Sequence, residues 1–299
     1  MTGKRPDVAN RAAAMRSIIK AAIFALIVSL AAPSAAQDFE TGMEAARRGD
    51  FATALNELRP LAEQGLAKAQ YVLGSIYGNG YGVRRDYAQA AKWIGMAAKQ
   101  GDAVAQSKLG MMYANGVGVP EDQNEALKWY RQAAEQDLAE AQLNLGIMYD
   151  LGAGVARDLA EAVKWYREAA RQDDARAQHN LALMYADGEG VAQDDEEART
   201  LFLRAAEQGH APAQHNLGLM YIYGDGGPRD LVKAHMWLHL AARQSKEGAP
   251  KGNEMVESWM TAEEIAEAEK LARDWRPKPS SAPPSTEAHD HSPSARPTR

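Results

Sequence analysis

Ala213-Gln214-His215-Asn216-Leu217-Gly218-Leu219-Met220-Tyr221 decides the reading of this chain, because the same pattern stands four more times upstream at intervals of 36 residues. Ala-Gln recurs at 69–70, 105–106, 141–142 and 177–178. Tyr77, Tyr113, Tyr149, Tyr185 and Tyr221 keep the step, as do Gly74, Gly110, Gly146 and Gly218, with Ala182 in the remaining place. Asp86, Asp122, Asp158, Asp194 and Asp230 follow, then Trp93, Trp129, Trp165 and Trp237, with Leu201 substituting once. Paired alanines close each unit, from Ala97-Ala98 to Ala241-Ala242. A fixed period of this length is the signature of a stacked array.

Each unit reads as two antiparallel helices. In the first, Ala69, Leu73 and Tyr77 lie four apart and share a face, and Gly74 lets a neighbouring helix come close. Asn79-Gly80-Tyr81-Gly82 then supplies residues that tolerate positive φ, as a helix end requires. Asp86 is placed as an N-cap, with Gln89 three residues on as the second half of a capping box; Asp158 with Glu161 and Asp194 with Glu197 repeat the pattern. Ala90, Trp93 and Ala97 give the second helix its apolar stripe. One hairpin cannot bury both faces, so neighbours must stack. The fold class is therefore all-α: an α-solenoid of helix-turn-helix repeats over residues 65–244, with a degenerate capping hairpin at 37–64 and a capping helix region at 245–275. That last region starts from the box Thr261-Ala262-Glu263-Glu264.

The ends differ in kind. Lys4, Arg5, Arg11, Arg16 and Lys20 precede the apolar run 21–32 and the small residues Ser34-Ala35-Ala36, which reads residues 1–36 as a secretory signal peptide cut after Ala36. The run is shorter than the ~20 apolar residues of a membrane span. The expected location is periplasmic or secreted, with no membrane span after cleavage. Residues 276–299 hold six of the 13 prolines and no large apolar side chain, and read as a disordered tail.

Composition narrows the chemistry. The 299 residues are 45% hydrophobic and carry 34 Lys plus Arg against 40 Asp plus Glu, a net charge of −6 that speaks against nucleic acid as a partner. With no cysteine, thiol nucleophiles, disulfides and thiolate metal sites are excluded. The four Gly-x-Gly turns at 80–82, 116–118, 152–154 and 188–190 follow helices and lack a downstream Gly-Lys-Ser/Thr, so they read as turns and not as phosphate loops. His235 and His239 stand four apart, yet no third ligand lies at metal-site spacing along the chain. No catalytic constellation stands out. The expectation is a non-enzyme with no metal and no cofactor.

The recurring string, the Gly-x-Gly turn, Asp230, Trp237 and Ala241-Ala242 closely resemble the Sel1-like repeat, a relative of the tetratricopeptide repeat, unit by unit over residues 65–244. The resemblance implies a right-handed solenoid that binds proteins or peptides on its concave side, as a scaffold or regulator in the bacterial cell envelope. The alternative is a cell-wall-associated enzyme or glycan-binding accessory protein. First helices line the inside in that family, so the groove is expected at Tyr71, Met111, Leu143, Ile147, His179, Leu183, His215, Leu219 and Tyr223. Met111, Ile147, Leu183 and Leu219 would form an apolar ridge. Asn144, Asn180 and Asn216 sit where related repeats use asparagine to clamp a peptide, and His179 and His215 would make binding pH-sensitive. The charged final helix is expected to terminate the stack and leave a monomer.

Overall fold

The computed structural model describes residues 36–244 and 250–279, with side chains described except at 250–252. Of the signal peptide read at residues 1–36, residues 1–35 lie outside the described residues, as does the tail beyond residue 279. Fourteen helices and no strand occur among them: α1 (36–47), α2 (Phe51–Glu63), α3 (Ala67–Asn79), α4 (Tyr87–Lys99), α5 (Ala103–Asn115), α6 (Gln123–Ala134), α7 (Ala139–Leu151), α8 (Leu159–Arg171), α9 (Ala175–Asp187), α10 (Asp195–Glu207), α11 (Ala211–Tyr223), α12 (Leu231–Gln244), α13 (Pro250–Glu257) and α14 (Ala262–Asp274). No described helix is long and apolar enough to cross a membrane.

The helices form two compact units. Unit one takes the chain through Ala105 together with Gly116–Pro120; unit two takes Gln106–Asn115 and the chain from Glu121 on. In unit one, Leu55, Leu58 and Leu61 of α2 pack with Leu73 and Ile76 of α3 and Trp93 of α4. In unit two each helix packs on the next in sequence from α6 to α12, and α12 then receives both α13 and α14.

Two close approaches set the hairpin geometry. Within a hairpin, the small residue of the first helix receives the large side chain twenty positions on: Gly146 lies under the Tyr166 ring and Gly218 under Leu238, where a Cβ would overlap them. Between hairpins, Gly190 adopts φ +72° and sits on the Leu159 backbone at the start of α8, leaving no room for any other residue.

The aspartate caps form as expected: Asp158 Oδ1 accepts from the backbone N–H of Ala160 and Glu161 at 3.1 Å each. The reciprocal half of the expected capping box is replaced. The Asp158 N–H, which Glu161 would have served, donates to the Tyr149 carbonyl at 3.0 Å, and Glu161 pairs with Lys164. Asp86, Asp122, Asp194 and Asp230 give their N–H groups to Tyr77, Tyr113, Tyr185 and Tyr221 in the same way. A two-sided box forms at Thr261 and Glu264, which starts α14.

At the end of the chain the structure adds a helix and moves a boundary. The segment that breaks the repeat register includes α13, so two helices, not one, cover α12. Residues 276–279 are also fixed in place and are not part of a free tail. Lys278 N–H donates to the Glu207 carbonyl at 2.8 Å, its Nζ meets the Glu207 carboxylate at 2.7 Å, and Trp275 sits edge-on to Trp237.

Candidate functional site

The twelve expected groove residues do not share one environment. Tyr71 is half-buried on α3 in unit one. The other eleven belong to unit two. Leu143 is the clear departure: at 2% exposure it is part of the core that also holds Ala177 and Leu181, and it cannot meet a ligand. Its side chain is apolar and finds an apolar neighbour beneath, whereas the equivalent histidines carry polar atoms that stay near the surface.

Ile147, Leu183 and Leu219 are half-buried and lean on the core, and Met111 does the same against the cluster around Leu145 and Met148. These four therefore pack and present surface together. Asn144 is half-buried on α7. His215 is exposed on α11, and Tyr223 ends that helix with 68% of its surface free.

His179, Asn180 and Asn216 come together. Asn216 Nδ2 donates to His179 Nε2 at 3.2 Å, which places the imidazole proton on Nδ1, 3.3 Å from Asn180 Oδ1. The ring also packs against Phe202 and edge-on to His210. Burial pushes the His179 pKa below the ordinary 6.5, opposed in part by the Asn180 bond, so the neutral form is favoured. Partial burial also lowers His215. Two of the three asparagines are thus engaged with His179, and Asn216 joins α11 to α9.

The strongest polar feature was only half visible as the Ala-Gln pair. Gln70, Gln142, Gln178 and Gln214 are buried, and each donates its Nε2 to the carbonyl of the alanine eight residues earlier: Ala62, Ala134, Ala170 and Ala206. Each Oε1 accepts from a second glutamine thirty residues on. These pairs are Gln100 to Gln70, Gln172 to Gln142, Gln208 to Gln178 and Gln244 to Gln214, at 2.7–3.0 Å, and Gln136 meets Gln106 likewise. The signal was present: Gln100, Gln136, Gln172, Gln208 and Gln244 also keep the 36-residue step.

His235 and His239 stack with ring centroids 6.1 Å apart. Glu257, distant in sequence, reaches His235 Nε2 at 2.8 Å, while His235 Nδ1 is buried without a partner. No group of three or more His, Asp or Glu arranged to hold a metal occurs among the described residues.

Five consecutive copies of the Sel1 repeat match residues 67–102, 103–138, 139–174, 175–210 and 211–246. The chain belongs to the Sel1 repeat family. Sel1 repeat proteins typically act as protein-interaction scaffolds and are generally non-catalytic. Among solved structures, the chain is similar to a protective antigen of uropathogenic Escherichia coli strains that displays an SLR fold, at 34% identity and a TM-score of 0.73. The match covers 82% of this chain and 54% of the antigen. The chain thus spans about half the length of that protein. It is also similar to a Sel1 repeat protein from Oxalobacter formigenes, at 31% identity and a TM-score of 0.66, covering 74% of this chain and 98% of the other. No curated protein matches it. The fold class is accordingly that of the Sel1 α-solenoid, and the family's repeat frame begins two residues after the one read from the sequence.

Proposed function

We propose that this Sel1 repeat protein is a non-enzymatic scaffold or regulator of the bacterial cell envelope, exported by its first 36 residues, that holds a protein or peptide against the first helices of unit two. The observation that carries this is the row Ile147, Leu183 and Leu219, each partly exposed although packed on the core, flanked by exposed Leu151, His215 and Tyr223. Apolar surface with a polar border is what a protein interface needs. The basic, then apolar, then small-residue pattern of residues 1–36 supports export.

The test is capture from a solubilised envelope fraction by the intact protein, by Tyr223→Glu with His215→Glu, and by Lys164→Glu on α8. The expected result is a protein held by the intact chain and by Lys164→Glu but lost from the double variant, with all three melting alike. Equal capture by all three would place the binding surface elsewhere.

A further inference from the structure

We propose that unit two carries a second recognition site, separate from the first-helix face: a cleft at the ends of α10, α12 and α14 that takes the free carboxylate end of a peptide whose last side chain is apolar. The cleft measures ≈ 630 Å³, room for the last two or three residues of a chain. Leu240, Trp275 and Pro277 supply apolar wall, and Arg243, Arg273 and Arg276 stand around it. Three arginines line this one cleft in a chain of net charge −6.

Three helix C-termini meet here, and their carbonyl ends would by themselves repel an anion. At α10 and α14 that effect is countered by donors on the last carbonyls. The Glu207 carbonyl accepts from Lys278, those of Ala205 and Ala206 accept from Gln208, Gly209, His210 and the Gln214 side chain, and that of Leu271 accepts from Trp275. Arg276 Nη1 serves the Arg273 and Trp275 carbonyls, which fixes its orientation and leaves its remaining N–H groups for a ligand.

The neighbouring carboxylates are largely committed: Glu207 to Lys278 at 2.7 Å, and Glu269 to Arg273 at 3.3 Å, with Asp274 at the exposed end of α14. Arg243 has no carboxylate partner among the described residues. Guanidinium beside apolar wall calls for a ligand whose charge and oily group leave the same carbon atom. The last residue of a peptide has that chemistry, and a guanidinium grips its carboxylate through paired N–H bonds. A glutamate side chain carries its charge away from any apolar group.

The test is titration calorimetry of the exported chain with N-acetyl-Ala-Ala-Leu as the free acid, the same peptide as its C-terminal amide, and N-acetyl-Ala-Glu-Ala amide. The free acid should saturate with a Kd below about 1 mM, the two amides should bind at least about tenfold more weakly, and Arg243→Gln should weaken the acid about tenfold. Arg276→Gln should weaken it too; because Arg276 caps α14, Arg243→Gln, which touches no cap, keeps the test independent of folding. Tyr223→Glu should leave acid binding unchanged, which separates this site from the first-helix face. Absence of saturable binding at several millimolar, equal affinity for acid and amide, or full affinity in Arg243→Gln would each overturn the proposal.

Discussion

The glutamine ladder and the first-helix face run along the same helices of unit two, yet the ladder is constant while the position beside it grows more exposed at every step. Gln142, Gln178 and Gln214 keep the same alanine carbonyl and the same glutamine partner in each hairpin. The next position goes from Leu143, sealed in the core, through His179, half-buried and hydrogen-bonded on both ring nitrogens, to His215, exposed. The period dictates what holds one hairpin to the next. It leaves the adjoining face free to vary, and that freedom is what a partner-specific surface requires.

The comparison breaks first at the ladder. Gln214→Ala removes a buried donor and acceptor together, strands Gln244, and opens a small void. It should cost roughly 3 kcal/mol, or about 6 to 12 °C in melting temperature, with little change in any surface the partner sees; thermal unfolding followed by circular dichroism checks it. Asn216→Ala should cost about 1 kcal/mol, because it takes one bond from His179 and leaves the ladder intact.

Acid should act through the same histidine. Burial depresses the His179 pKa in the fold, so the unfolded chain binds the proton more tightly. That contribution to stability is complete above 6.5 and is lost as pH falls below it toward the depressed folded value. His215 and His239 are lowered as well and act in the same direction. Melting temperatures recorded from pH 7.5 down to 5.5 should therefore fall, and His179→Gln should flatten part of that slope. The smallest effect on stability belongs to Tyr223→Glu, within about 0.5 kcal/mol, although the same change should abolish partner capture.

How much of this was legible in the sequence depends on how far apart the interacting groups lie. Helix ends are local, so Gly188 as a left-handed C-cap and Asp194 as an N-cap could be read directly, and both stand where expected. The capping box failed because its competitor is remote: the tyrosine carbonyl that takes the Asp N–H comes from the preceding helix, nine residues earlier. The ladder was half seen because its second glutamine lies thirty residues from the first, at the far end of the second helix of the same hairpin. Helical spacing alone could not tell that Leu143 turns inward while His179 and Asn216 spend their polar atoms on each other. The arginine cleft lay beyond any motif, since its parts come from three separate helix ends and from Arg276 and Pro277, whose proline-rich surroundings in the sequence predict a tail.

The central claim, that the variable face of the first helices in unit two is where a partner docks, is tested most directly by site-specific photo-crosslinking in the living cell. A photoreactive phenylalanine analogue replaces Tyr223 in one strain and Lys164, exposed on α8, in another. The account predicts a discrete protein adduct from position 223 and none from position 164. An adduct from 164 alone, or the same adduct from both, would contradict it.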